Sequence, residues 1–324
     1  MKRAVMLIVA MVTMVLAMPD GSALAAQFPE KGKAITILVP WAAGGSLDLS
    51  ARLLASDLEK FLGTPTQVVN RPGASGQVGT TQIALAKPDG YTIGVTALPS
   101  TNTIYLDPER KAAFGRKDLA PVACHTSDPV AIGVRTDSKY KTLKDLIDDA
   151  KANPEKIKAG DAGILSVHHL AIELFQKATD TRFAIVHFDG GAPGITALVG
   201  GHVDVTFDVI GTMASHIKAG TIRILGVMGK EASRFLPEVQ PLQAMGLKLY
   251  MSTSRAYSAP AGTPKEIVDI LSGAIKKATE GEEHRKKLAD MYTTVAYQDA
   301  AQFGAYWDEL DAQLKPLVEQ IKKQ

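Results

Sequence analysis

Residues 35–60, ITILVPWAAGGSLDLSARLLASDLEK, combine an apolar run, a loop of small residues and a helical pattern. The β-branched run 35–39 is typical of a strand in the buried centre of a parallel sheet, and Pro40 ends it. After the loop, Ser46 is suited to cap a helix whose apolar residues recur at helical spacing. Free N–H groups at such a helix N-terminus favour anion binding, although glycine turns with a purely structural role are also common at strand ends.

The first 25 residues have the pattern of a signal peptide. Lys2 and Arg3 precede an apolar run over 4–18, and residues 23–25, ALA, offer the small-x-small pattern that a signal peptidase cleaves. No later run reaches the roughly 18 uninterrupted apolar residues of a membrane span. We therefore expect cleavage near Ala25 and an exported, soluble protein in the periplasm.

Length and charge narrow the function classes. The chain has 324 residues, enough for two domains with their own cores. It carries 36 Lys and Arg against 34 Asp and Glu, and no basic stripe interleaved with aromatics, which argues against nucleic-acid binding. The lone Cys124 excludes an internal disulfide, and we interpret it as a small buried apolar residue.

The chain alternates strands and helices in two sets. Strands are predicted at 35–39, 67–70 and 91–96, and the Ser/Thr-rich stretch 97–107 is predicted to be a loop at the end of the third strand. A second set begins near residue 130, with strands 184–188, 203–208 and 222–227 and helices 143–152, 168–177, 195–199 and 213–219. Helices 264–279 and from about 300 complete the chain.

This order implies that the chain crosses between two α/β lobes twice, near 125 and near 255. Lobe one is predicted to comprise 27–124 plus 255–324, and lobe two 125–254. Small-residue loops end strands in both lobes, so a cleft between the lobes is expected. Two lobes joined by two crossovers are typical of a solute-binding protein that closes on its ligand by a hinge.

Motifs for other chemistries are missing or incomplete. There is no phosphate-loop lysine motif and no GxGxxG, so no nucleotide cofactor is expected. The pair His168-His169 lacks an HExxH pattern or a Cys/His cluster, and we expect no metal site. Ser166 close to this pair would be compatible with a Ser/His hydrolase, but the GxSxG elbow and an orienting acid are missing. Asp204 and Asp208 share a strand face, where loop-capping acceptors are more typical than an acid/base pair.

Six blocks resemble a known family in order and spacing. They are VPWAAGGSLD (39–48), VNRPGASGQVG (69–79), KPDGYTIGV (87–95), HLAIELF (169–175), GGAPGITALVGGHVDVTFD (190–208) and PAGTP (260–264). The family comprises the solute receptors of tripartite tricarboxylate transporters, also called Bug receptors. The resemblance implies a type II periplasmic binding fold without cofactors. It also implies a protein, expected to be a monomer, that captures a small carboxylate and delivers it to a membrane permease.

In receptors of this kind, main-chain amides, hydroxyls and bridging waters hold the carboxylates of the ligand. Carried over to matching positions, the resemblance implies ligand contacts from both lobes: Trp41, Ala43, Gly44, Gly45, Asp48, Ser100, Thr101, Ala162, Ser166, His169 and Asp208. The chain departs from the family pattern at Leu165, Asp189 and Arg255. These departures leave the identity of the carboxylate open. A hydrolase using Ser166 and a receptor domain for a membrane sensor are the alternatives.

Overall fold

The computed structural model describes residues 28–321. Its strands are β1 (Ile35–Val39), β2 (Thr66–Asn70), β3 (Thr92–Leu98), β4 (Leu119–Arg135), β5 (Lys158–Asp161), β6 (Ala184–His187), β7 (Val205–Val209), β8 (Ile222–Val227), β9 (Ser252–Pro260) and β10 (Val295–Gln298). Its α-helices are α1 (Ser46–Leu62), α2 (Gln77–Ala84), α3 (Ser100–Leu106), α4 (Leu143–Ala152), α5 (Val167–Thr179), α6 (Gly191–Val199), α7 (Ile210–Lys218), α8 (Lys265–Glu280), α9 (Glu282–Asp290) and α10 (Ala300–Ile321).

One mixed sheet runs through the molecule in the order β2-β1-β3-β9-β4-β7-β5-β6, with β8 and β10 also paired to β4. Strand β1 pairs in parallel with β2 and β3, and β5 pairs in parallel with β6 and β7. The long strand β4 joins these two parts, since residues 119–129 pair with β9 and residues 130–135 pair with β7 and β8. We call the part that contains β1–β3 the first half and the part that contains β5–β8 the second half.

Each half has its own apolar core. In the first half, Ile37 and Leu54 belong to a buried cluster that α1 and α8 form against the sheet. In the second half, Val130 and Phe207 belong to a separate cluster with α4 and α5. The expected α/β fold is therefore confirmed, whereas the exact lobe bounds given above stay a prediction.

The C-terminal helix α10 packs on both halves. The C-terminal helix predicted from about residue 300 is present, and its Phe303 and Trp307 are buried against β4 and α3. Near its end, Leu314 contacts the cluster around Leu165 and Leu170 in the second half. None of the helices within residues 28–321 has both the length and the apolar content needed to cross a membrane, and the predicted signal peptide lies outside the described residues.

The prediction of a loop over 97–107 is wrong. Strand β3 continues to Leu98, and residues 100–106 form helix α3. Thr103 is fully buried and donates its hydroxyl to the carbonyl oxygens of Ser100 (2.8 Å) and Leu165 (2.7 Å). Because this hydroxyl is satisfied by main-chain oxygens, the Ser/Thr-rich stretch can be buried as a helix.

Strand β9 was not predicted because its sequence, STSRAYSAP, has no apolar alternation. Arg255 at its centre is fully buried and donates from Nη1 to Asp128 (2.5 Å) and to Thr126 Oγ1 (3.0 Å). These bonds join β9 to β4 close to the point where β4 passes from one half to the other. The departure at Arg255 therefore forms a structural ion pair between the two connecting strands.

A second buried polar chain links β4 to two helices of the first half. His125 Nε2 lies 2.8 Å from His284 Nε2, and His284 Nδ1 lies 2.7 Å from Asp57. Burial lowers the pKa of His125 well below its ordinary value, with a further contribution from the nearby charges of His284 and Arg255. Burial of His125 therefore favours its neutral form.

Candidate ligand-binding cleft

Strand ends from both halves meet around a small enclosed cavity. The ends of β1, β3, β5 and β7 all face it, as expected where parallel strands end at one edge of a sheet. The cavity measures about 30 Å³. Its wall consists of Trp41, Ala42, Gly45, Ser46, Leu47, Ala97, Ser100, Ala162, Ser166, Val167, His168, Gly191, Asp208, Thr212 and Thr253.

Two long helices begin at this cavity. Helix α1 starts after Gly45, whose lack of a side chain leaves the first-turn N–H groups without a side-chain cap. Helix α5 starts after Ser166, whose hydroxyl accepts from His169 N at 3.2 Å. The first N–H groups and the positive ends of both helix dipoles therefore lie beside the cavity, an arrangement that favours an anion.

Asp48 holds the 41–45 loop from outside the cavity. Its carboxylate accepts from Gly44 N (2.9 Å), Arg52 Nε (3.1 Å) and Asn70 Nδ2 (3.0 Å). Burial would raise the pKa of Asp48, but hydrogen bonds from Arg52, Gly44 and Asn70 outweigh this effect and lower it. Gly44 has φ +83°, a conformation that suits glycine, so the backbone of the loop depends on this residue. The structure therefore gives Asp48 and Gly44 a positioning role.

The two halves touch directly around the cavity. Ser100 Oγ accepts from Val167 N at 2.9 Å, and Ala42 N donates to the carbonyl oxygen of Asp189 at 3.3 Å. These bonds, with the Thr103–Leu165 bond described above, hold the cleft closed.

His168 and Asp208 form a polar pair in the cavity wall. His168 Nε2 lies 3.3 Å from Asp208 Oδ1, and both side chains are largely buried. Neither ring nitrogen of His168 has a hydrogen-bond partner within residues 28–321. The approach to Asp208 has an ion-pair distance but not the geometry of a hydrogen bond, so His168 is available to hydrogen-bond a polar group in the cavity. Among the wall residues named above, all of them within 28–321, there is no Lys or Arg.

The residue predicted from sequence was the neighbour, His169. Its Nδ1 accepts from Leu165 N at 2.9 Å and its Nε2 lies 3.5 Å from Glu173, away from the cavity. Helical phase would have distinguished the two histidines. His168 shares a helix face with Ile172, which is fully buried, whereas His169 shares a face with Glu173.

The eleven predicted ligand residues fall into two groups. Those that line the cavity are Trp41, Gly45, Ser100, Ala162, Ser166 and Asp208; those that do not are Ala43, Gly44, Asp48, Thr101 and His169. Thr101 is fully buried in α3, and its hydroxyl has no partner among the described residues. The assignment of ligand contacts stays a prediction. His168, Gly191 and Thr212 are wall residues that the sequence did not indicate.

The geometry gives no support to a Ser/His hydrolase. Ser166 Oγ caps α5 through the main-chain N–H of His169, and within residues 28–321 no imidazole hydrogen-bonds to this hydroxyl. A nucleophilic serine needs such a base within reach.

A two-part α/β fold that closes a cleft at its strand ends defines a class, the two-lobe periplasmic binding proteins. Solved structures of this class superpose on the chain. They include periplasmic binding protein BugD (26% identity, TM-score 0.83, covering 90% of this chain and 98% of BugD). MatC from Rhodopseudomonas palustris with bound malate is another (28% identity, TM-score 0.83, covering 90% of this chain and 100% of MatC).

Sequence comparison then gives the family. The model of the tripartite tricarboxylate transporter family receptor matches residues 50–323. A UPF0065 protein of Cupriavidus necator is 31% identical over 310 residues, which cover 94% of this chain and 91% of the relative. The chain therefore belongs to the tripartite tricarboxylate transporter receptor family, and both the resemblance and the two-lobe fold expected from it are confirmed. Members of this family are solute-binding proteins.

Proposed function

We propose that this chain is exported to the periplasm, loses residues 1–25, and as a monomer binds a small carboxylate in the cleft. It would then deliver this ligand to the membrane permease of a tripartite tricarboxylate-type transporter. The observation that carries the proposal is the closed cavity at the N-termini of α1 and α5. Two helix N-termini, one without a side-chain cap, supply N–H groups for an anion without any Lys or Arg.

Binding requires the cleft to open. A cavity of about 30 Å³ has room for little more than one water-sized group, whereas pockets for whole small molecules are about tenfold larger or more. Opening breaks the contacts of Ser100 with Val167, of Thr103 with Leu165 and of Ala42 with Asp189. The continuous strand β4 and the neighbouring β9 are the connections about which the halves would move.

The polar pair in the wall narrows the ligand class. Asp208 would repel a carboxylate placed against it, but it accepts readily from a hydroxyl or an ammonium group. The ring of His168, which makes no hydrogen bond within residues 28–321, lies next to Asp208 and can contact the same polar substituent. We therefore propose a carboxylate that carries a hydrogen-bond donor next to the acid group, with its carboxylate at α1. A hydroxydicarboxylate such as malate, the ligand bound in MatC, has this chemistry.

A thermal-shift screen of mono-, di- and tricarboxylates tests the proposal. A ligand present at a hundred times its Kd should stabilise the protein by about 2.7 kcal/mol, which corresponds to a rise in Tm of roughly 5 °C for a chain of this size. Failure of every carboxylate to shift the Tm would contradict the proposed function.

Deletion of this protein from its host tests whether the bound carboxylate is taken up by the cell or only sensed. Loss of growth on the carboxylate found in the screen is expected for uptake. Normal growth with loss of a transcriptional response to that carboxylate would instead favour a receptor domain for a membrane sensor.

A further inference from the structure

A cluster of two histidines and an aspartate lies behind the second-half wall of the cleft. Asp161 at the end of β5, His169 in the first turn of α5 and His187 at the end of β6 each offer one ligand atom, and these atoms lie within 4.8 Å of one another. None of the three side chains lines the ligand cavity. We propose that this cluster is a binding site for a divalent transition-metal ion such as Zn²⁺.

The charge of the cluster favours a cation. The Asp161 side chain is fully buried, and Glu173 lies 3.5 Å from His169 Nε2. Within residues 28–321, neither carboxylate forms an ion pair with a lysine or an arginine. Asp161 Oδ1 also accepts from Gly163 N at 2.7 Å, but in the described part of the chain the negative charge of this buried carboxylate has no cationic neighbour other than imidazole, and a metal ion would neutralise it.

Both imidazoles make hydrogen bonds that a metal ion would replace. His187 Nδ1 donates to Asp161, so its proton would move to Nε2 when Nδ1 binds the ion. His169 Nδ1 accepts from Leu165 N at 2.9 Å, so this atom carries the lone pair and the ring proton is on Nε2. Nε2 faces Glu173, and a metal-binding imidazole usually directs its second nitrogen to such a carboxylate. On binding, the metal takes the lone pair of His169 Nδ1 in place of the Leu165 N–H.

His187 completes the site from the solvent side. Its Nδ1 lies 2.8 Å from Asp161 Oδ2, and about a third of its side chain is exposed, which gives an ion a way in. In a tetrahedral zinc site, ligand atoms are about 3.3 Å apart. The separations here are thus within reach of small side-chain rotations. Two imidazoles with a carboxylate suit Zn²⁺ or Co²⁺ better than Mg²⁺ or Ca²⁺, which prefer oxygen ligands.

The test uses the mature protein without a histidine tag, stripped of metal with a chelator. Competition of the protein with a chromophoric chelator measures Zn²⁺ affinity, and the visible absorption of added Co²⁺ reports nitrogen and oxygen coordination. We expect one ion per chain and an affinity at least about tenfold lower in His187→Gln and in Asp161→Asn. His216→Gln is the matched control, because His216 lies on α7 and contacts Thr221 outside the cluster.

His187→Gln is the decisive variant, because its partly exposed side chain can be replaced without disturbing the core; thermal unfolding confirms that it is folded. Absence of binding at micromolar Zn²⁺, or the same Zn²⁺ affinity in His187→Gln as in the unmodified protein, would overturn the proposal. The cluster would then be a hydrogen-bond network that only supports the 161–166 loop. Neither result depends on whether the cleft binds a carboxylate.

Discussion

Gly191→Ala tests the role of Asp208 with the smallest possible change. A Cβ atom built on Gly191 would lie 2.2 Å from Asp208 Oδ2 and 3.1 Å from Thr212 Cγ2. Ordinary contacts begin at 3.4 Å, so the carboxylate has to move by about 1 Å. Gly191 has no positive φ and begins α6, so the substitution adds bulk without backbone strain.

The displacement should remove the hydrogen bond that Asp208 makes with the ligand. A hydrogen bond to a charged group contributes about 1.5–3 kcal/mol, so the Kd for a hydroxycarboxylate should rise by about 10–150-fold. Calorimetric titration measures this change, and circular dichroism checks folding. Gly273→Ala is the control, because within residues 28–321 no atom outside its own helical turns lies within 4 Å of the new methyl group, and no residue of α8 lines the cavity. An unchanged Kd in Gly191→Ala would refute the placement of the ligand against Asp208.

Three other predictions concern the 41–45 loop and the buried polar groups His125 and Arg255. In Gly45→Val the new Cβ lies 3.8 Å from its nearest neighbours and φ is an ordinary −76°, so the protein should fold, while the side chain fills the cavity and weakens ligand binding at least about tenfold. Asp48→Asn keeps an acceptor for Gly44 N and should change the Kd by less than about threefold. Calorimetry that finds the larger loss of affinity in Asp48→Asn would contradict the assignment. Because burial lowers the pKa of His125, its contribution to stability is complete above about pH 6.5 and is lost as the pH falls below that value, by up to about 1.4 kcal/mol per pH unit. Urea unfolding at several pH values should show a smaller dependence of stability on pH in His125→Gln. An identical dependence in the two proteins would show that His125 is not its cause. Arg255→Met leaves the Asp128 carboxylate buried without its cation and should lower the free energy of unfolding by about 3–5 kcal/mol. The double variant Arg255→Met/Asp128→Asn should restore part of this loss. No recovery in the double variant would show that breaking the ion pair does not cause the loss of stability.

The parts of the fold that were predicted correctly depend on local signals. The apolar run 35–39 and the spacing of the following helix are sufficient for β1 and α1, and the helix predicted at 143–152 has the bounds of α4. Strand β8 and the start of α10 were also predicted at their observed positions.

The parts that were missed depend on tertiary contacts. Strand β9 can bury Arg255 because this residue forms an ion pair with Asp128 on β4. No sequence pattern within 252–260 indicates this partner. Helix α3 has no apolar periodicity, and an acceptor of Thr103 lies in the other half of the molecule. In the site, the loops were located by sequence, but the direction of each side chain was not. His168 enters the cavity and His169 points away from it through a difference of one helical position.

A crystal structure of the mature protein with the carboxylate that gives the largest thermal shift tests the central claim most directly. We expect the carboxylate within hydrogen-bond distance of the main-chain N–H groups after Gly45, with a donor group of the ligand against Asp208 and next to His168. A ligand bound outside the wall of this cavity, at a concentration that saturates the thermal shift, would contradict the claim.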